Sequence, residues 1–203
     1  MRARPQLVLD LAGVLISNFS PTFWPRLENE SGATFQEMKQ QFGYIRKDLW
    51  TGKLREKDFW IWLGSRLEQI PQEEAQRWLI SALKPLPALQ QLERWSEAAD
   101  IHILSNHCQE WLEHLLPLIE PFAESVTVSN QVGLCKPEPE IYTLVSHHFG
   151  ELNEEIDILY VDDQDKNLEP ARQLGWKTLL ADPEHRWISI VEQYLFRSVV
   201  EDH

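Results

Sequence analysis

Residues 7–14 read LVLDLAGV: an aliphatic β-run, Leu7, Val8 and Leu9, is closed by Asp10, and Gly13 follows inside a second apolar run. Four further segments have the same form, short and aliphatic or β-branched with polar or turn-forming ends. They are DIHILSN near residue 100, ESVTVSN near 124, DILYVDD near 157 and KTLLAD near 177. Helical patterns lie between them. Ile141, Leu144, Val145 and His148 fall at helical spacing with Pro137 near the start, and NLEPARQLG ends in Gly175, which suits a left-handed cap. Strands alternating with helices predict an α/β fold whose parallel sheet is covered on both faces.

The stretch from Ile16 to Pro85 differs, because it holds long amphipathic patterns and no strand. FQEMKQQFGYIRKDLW and REKDFWIWLGSRL both have a helical period. The expected organisation is a core formed by residues 1–15 and 86–203, with residues 16–85 inserted as a helical cap. Six of the nine tryptophans (Trp24, Trp50, Trp60, Trp62, Trp78 and Trp95) lie in this insertion or at its exit, where they are expected to fill a small aromatic core. Phe23 and Trp24 are the candidates for lining a substrate pocket. No internal repeat or low-complexity segment is seen.

Composition narrows the class. The 203 residues are 43% hydrophobic and 25% charged, the balance of a folded globular protein. A net charge of -13 opposes binding to nucleic acid or to an anionic membrane surface. No apolar run approaches the roughly 20 residues that span a bilayer, and the N-terminus lacks a secretory pattern, so a cytoplasmic location is expected. Cys108 and Cys135 form no CxxC and read as buried, reduced thiols.

In an open parallel sheet, ligands bind at the carboxyl ends of the strands. The polar groups expected there are Asp10, then Ser105 and Asn106, then Asp162 and Asp163. Acids from separate strands suit Mg²⁺, which prefers oxygen ligands. Lys136, in GLCKPEPEIY, stands where an ammonium can reach a phosphate oxygen or steady a carboxylate.

Taken in order, Asp10-Leu-Ala-Gly-Val, Leu104-Ser105-Asn106, Lys136-Pro137 and Val161-Asp162-Asp163 with Asn167 beyond resemble the four motifs of the haloacid dehalogenase-like (HAD-like) hydrolase superfamily. The helical insertion resembles that superfamily's small cap. KPEPEIY and DDQDKNLEPARQLG carry a likeness to its glucose-1-phosphatase-type sugar phosphatases. The resemblance implies a Rossmann-like, doubly wound core and Mg²⁺-dependent hydrolysis of a small phosphorylated metabolite by a monomer or homodimer. Asp10 would be the nucleophile that forms an aspartyl-phosphate. Mg²⁺ would be held by Asp10, the Ala12 carbonyl and Asp163, with Asp162 beside it. Ser105, Asn106 and neighbouring amides would bind the phosphoryl group, and Lys136 would balance charge.

The departure is Ala12. Phosphatases of the superfamily carry a second aspartate there, to protonate the leaving alcohol and activate water, a role worth roughly 10²–10⁴-fold in rate. Three readings follow: a phosphatase that is slow or supplied with another proton shuttle, a carbon–phosphorus hydrolase using a cap lysine such as Lys53, and a relative that binds a phosphorylated ligand or protein partner without turnover. Dehalogenation would leave the phosphate and Mg²⁺ pattern without purpose. His107, close behind Ser105-Asn106, is a candidate proton carrier, whereas His102, His147 and His148 read as structural.

Overall fold

The computed structural model describes residues 4–31, 34–67, 69–149 and 156–196. Five strands, β1 (Gln6–Leu9), β2 (Asp100–Ser105), β3 (Ser125–Val128), β4 (Ile158–Asp162) and β5 (Lys177–Leu180), form one sheet in the order β3-β2-β1-β4-β5. Every pairing is parallel. All five runs expected from the sequence are strands. The chain moves from β1 to one side for β2 and β3 and to the other for β4 and β5, so the sheet is doubly wound with its crevice beside the end of β1.

Alternation along β1 divides the interior. Leu7 and Leu9 join the larger apolar cluster with Ile101, Ile103, Leu159 and Val161. Val8 faces the other way, among Leu104, Tyr142, Tyr160 and Trp176. A strand covered on both faces is apolar throughout, which is why LVL has no polar alternation to read.

Helices α1 (Ser20–Ser31), α2 (Phe35–Trp50), α3 (Glu56–Gly64) and α4 (Gln72–Ala82) lie between β1 and β2. The chain leaves and returns through a short neck. The Ser17 N–H donates to the Lys84 carbonyl at 2.8 Å and the Leu86 N–H to the Leu15 carbonyl at 2.9 Å. The remaining helices follow the strands: α5 (Leu92–Ala98), α6 (Gln109–Leu112), α7 (Ser129–Val132), α8 (Pro139–Ser146), α9 (Asp165–Gln173) and α10 (Trp187–Phe196). Gly175 has φ +81°, the left-handed geometry expected just past α9. Helix α8 begins at Pro139 rather than at Pro137, whose bond to Lys136 is cis. His148 therefore lies beyond α8 and is exposed, not part of its apolar stripe.

The aromatic side chains of the inserted helices do not form a separate core. Trp111 on α6 is buried and meets Phe19, Trp50, Phe59 and Trp60 with ring centroids 5.2–5.9 Å apart. Its indole N–H donates to Glu56, which also accepts from the Trp60 indole. Trp95 packs instead against Trp187 of α10. Among the described residues no helix is long and apolar enough to cross a membrane.

Candidate functional site

Asp10 is the first residue past β1, and its N–H is held by the Val161 carbonyl at 3.0 Å. The chain then turns sharply around one oxygen, the Leu11 carbonyl, which accepts from the N–H groups of Val14, Leu15 and Ile16 at 2.8–3.1 Å. Buried Leu11, Val14 and Leu15 anchor this loop in the core. Its apex needs glycine for two reasons. Gly13 has φ +89°, and a Cβ built there would lie 2.3 Å from Asp163 Oδ2. Gly13→Ala is therefore expected to displace the Asp163 carboxylate and weaken Mg²⁺ binding at least tenfold, measured by calorimetry against the unsubstituted protein.

Lys136 reaches the strand tips from the loop before α8. Its side chain is about 1% exposed, and Nζ lies 2.9 Å from Asp10 Oδ1 and 2.6 Å from Asp162 Oδ2. Asn106 fixes the Lys136 backbone reciprocally: Oδ1 accepts the Lys136 N–H and Nδ2 donates to its carbonyl, both at 2.8 Å. The Asn106 amide, expected to bind substrate, thus positions the lysine. The Ser105 side chain is fully buried, and its Oγ has no partner among the described residues.

The two neighbouring aspartates are not equivalent. Asp162 accepts from Lys136, from the Tyr160 hydroxyl, from Asn167 Nδ2 and from the Gln164 N–H. Its oxygens are fully occupied, and it serves as the counter-ion of Lys136. Asp163 has only weaker partners, Asn18 Nδ2 at 3.2 Å and Gln164 Nε2 at 3.4 Å. Asp10 uses Oδ1 for the Leu11 N–H and for Lys136, and its Oδ2 makes no hydrogen bond among the described residues. Ligand oxygens of Asp10, Asp162 and Asp163 lie within 4.8 Å of one another.

Electrostatics follow from this packing. Burial raises the Asp10 carboxyl to about 8; Lys136 pulls it back, while Asp162 and Asp163 push it further up. Asp163 is also raised, chiefly by burial. For Asp162 burial is outweighed by Lys136 and by its hydrogen bonds, so its pKa is lowered. Burial also opposes the charge on Lys136, but Asp10 and Asp162 together raise its pKa. One buried and one half-buried acid, Asp10 and Asp163, both held above the usual carboxylate range, with hard oxygen donors and a glycine cradle beside them, fit a small divalent cation.

A cavity of about 550 Å³ opens over Asp10, Ala12, Asn106 and Lys136. Its walls include Phe19, Phe42, Trp50 and His107, and its polar lining includes Arg46, Lys47, Glu138 and Lys166. Phe23 and Trp24, expected at the pocket, are instead buried at 0% and 1% exposure and do not line it. Sequence reading missed Phe42, Arg46 and Trp50. Their spacing of four residues, which puts them on one face of α2, was the available signal. Lys53 is exposed and outside the lining, so it is not placed to act as the cap lysine of a carbon–phosphorus hydrolase; the lysine of the inserted helices that does line the cavity, Lys47, is paired with Glu138.

Among the described residues no other side chain brings a free carboxyl to the place left by Ala12. Besides Asp10, the only acid lining the cavity among the described residues is Glu138, paired with Lys47 at 2.6 Å and lowered in pKa by it. Burial lowers the pKa of His107 to about 4. Its Nδ1 is 3.2 Å from the Cys108 carbonyl, so the ring is neutral at pH 7 with Nδ1 protonated, and Nε2 carries no proton to give. His102, also lowered to about 4 by burial, is bonded to Gln6 and Ser125, as expected of a structural histidine.

No family model matches the chain, and no curated protein matches it. Solved structures do. A HAD-family enzyme from Bacteroides thetaiotaomicron, crystallised as wild type with magnesium and inorganic phosphate, is 22% identical with a TM-score of 0.77 over 93% of this chain and 99% of that one. A predicted HAD-like family hydrolase from Porphyromonas gingivalis is 23% identical with a TM-score of 0.78, over 95% and 98%. A dehalogenase is 22% identical with a TM-score of 0.62, over 93% and 91%. The chain therefore has the α/β fold of these HAD-family structures.

Proposed function

We propose that the chain is a HAD-like hydrolase that uses Mg²⁺ to hydrolyse a small phosphomonoester, with sugar phosphates the class suggested by the sequence resemblance, through phosphoryl transfer to Asp10. The observation that supports this best is the convergence of Asp10, Asp162 and Asp163 around buried Lys136 at the carboxyl ends of β1 and β4. The magnesium and phosphate found with the Bacteroides enzyme support the same reading. Asp10, the Ala12 carbonyl and Asp163 would hold the ion. Bound there, it would supply positive charge that favours ionised Asp10 and offsets its repulsion of a phosphate.

Asp10 Oδ2, without a hydrogen bond of its own, attacks phosphorus. The bond from phosphorus to the leaving oxygen breaks, and its electron pair departs on the leaving oxygen as an alkoxide or aryloxide, which takes its proton from solvent water. Lys136 keeps Asp10 in place through Oδ1 and balances charge as it shifts. Ser105 Oγ and the adjacent backbone amides are the donors for the phosphoryl oxygens. Water then attacks the aspartyl-phosphate, releasing inorganic phosphate and restoring Asp10. Among the described lining residues no unpaired carboxyl or protonated imidazole stands beside Asp10 to protonate the leaving group, so substrates whose leaving group needs little protonation are favoured. Halide displacement, the chemistry for which the dehalogenase neighbour is named, would use Asp10 and Lys136 in the same way but would give a cation beside Asp163 no phosphate charge to offset.

The test is phosphate release from a panel of phosphomonoesters, including anomeric and aryl phosphates, with Mg²⁺ and after chelation. Turnover that chelation removes is expected. Mg²⁺-dependent binding of the panel without any phosphate release would overturn the hydrolase reading in favour of a non-catalytic binder.

A further inference from the structure

The protein carries a net charge of -13, yet the described lining of its cavity holds four cations, Arg46, Lys47, Lys136 and Lys166, against two carboxylates, Asp10 and Glu138. Lys47 is neutralised by Glu138, and Lys136 is committed to Asp10 and Asp162. Arg46 and Lys166 remain. Neither has an acidic partner among the described residues, although ion pairs occupy many of the protein's other cations.

Their isolation is built into the local sequence. One turn either side of Arg46 on α2 stand Phe42, Gly43, Leu49 and Trp50, so the helix offers it no carboxylate. The acids one turn from Lys166 are Asp162 and Asp163, which belong to the strand-tip cluster, and Glu169, which takes Arg172 at 3.3 Å and Gln173 at 3.2 Å. Phe42 and Trp50, on the same face as Arg46, give the cavity an aromatic wall beside its charge. Arg46 comes from the inserted helices and Lys166 from α9, so the two cations approach the cavity from different elements.

We infer that this cavity takes a phosphomonoester whose leaving group bears a second anionic group, carboxylate or phosphate, on an apolar or planar body, and that Arg46 and Lys166 bind that second anion. The inference rests on the phosphomonoester reading of the strand-tip site. It gives Arg46 and Lys166 a partner that the described residues do not supply, and it gives the aromatic wall a face to cover.

Three aryl phosphates test it: 4-carboxyphenyl phosphate and hydroquinone bisphosphate, whose leaving groups are charged, and 4-carbamoylphenyl phosphate, whose leaving group carries no second charge. The first two are expected to have kcat/KM at least tenfold above the third, mainly through KM, with the difference shrinking as salt is added. The better of the first two identifies the carboxylate or the phosphate as the preferred anion. In the double variant Arg46→Gln, Lys166→Gln the ratio is expected to fall to about one. Lys84→Gln, an exposed position outside the cavity, changes net charge without touching the lining and is expected to preserve the ratio. A ratio near one in the unsubstituted protein, or one that survives in the double variant, overturns the inference.

If none of the three releases phosphate, the hydrolase reading fails for these esters. The anion subsite is then decided by calorimetry with Mg²⁺, comparing 4-carboxybenzylphosphonate with benzylphosphonate. At least tenfold tighter binding of the carboxylated compound, lost in the double variant, supports the subsite. Equal affinity, or no binding of either, overturns it.

Discussion

Asp10→Asn is expected to lower phosphate release by a factor on the order of 10⁴ or more, while raising the melting temperature of the metal-free protein at pH 8. The first effect follows from removing the nucleophile. The second follows from burial. The Asp10 carboxyl sits at about 8 in the folded chain against an ordinary 3.8, so its surroundings disfavour the charge even with Lys136 at 2.9 Å. Between those two values the folded protein holds a proton that the unfolded chain has released, and stability falls as pH rises through that window. His102 and His107 work in the opposite direction: both are lowered to about 4, so they make stability rise with pH only up to their ordinary value of 6.5. From about pH 6.5 to 8 the Asp10 contribution stands clear of them. Thermal melts of the metal-free protein should fall across that interval, and Asp10→Asn should flatten the fall. A variant that melts lower than the parent at pH 8 would show that Lys136 contributes more to Asp10 than burial takes away.

Ala12→Asp is expected to act in the other direction. Ala12 lines the cavity and is only partly buried, so a carboxymethyl group has room to enter. It would supply a carboxyl proton donor for the leaving group, which no unpaired acid among the described lining residues offers. General acid–base assistance is worth roughly 10²–10⁴-fold. A gain of at least tenfold in kcat is therefore expected on alkyl phosphates, whose leaving groups need protonation, and a much smaller one on aryl phosphates. Turnover of both series in the parent and the variant checks it. An equal response of the two series would mean that the new carboxyl does not act on the leaving group.

The sheet and its acidic tips were legible in the sequence because both are local. A run such as LVL or ILYV states its own burial, and a carboxylate at its end states where the strand stops. The roles of Asp162 and Asp163 were separable only by contacts made across the fold: Lys136, Tyr160, Asn167 and the Gln164 N–H all converge on the first and leave the second lightly held. The part Asn106 plays in positioning Lys136 was hidden for a similar reason, since its side chain pairs with the backbone of a loop thirty residues on, although it also lines the cavity. The pocket walls were misassigned because periodicity reveals that a helix has an apolar face, but not which neighbour covers it. Phe23 and Trp24 went to the interior of the aromatic cluster, whereas Phe19, Phe42 and Trp50 reached the cavity. Trp111, from outside the insertion, completes that cluster, which no reading of residues 16–85 alone would include.

The central claim is that Asp10 accepts the phosphoryl group beside a cation it shares with Asp163. Crystals grown with Mg²⁺ and beryllofluoride, a mimic of a phosphorylated carboxylate, test this directly. The expected result is beryllofluoride bonded to the Asp10 carboxylate, with Mg²⁺ coordinated by Asp10, the Ala12 carbonyl and Asp163. Mg²⁺ bound away from these three groups, or Mg²⁺ in place with no beryllofluoride on Asp10, would contradict it.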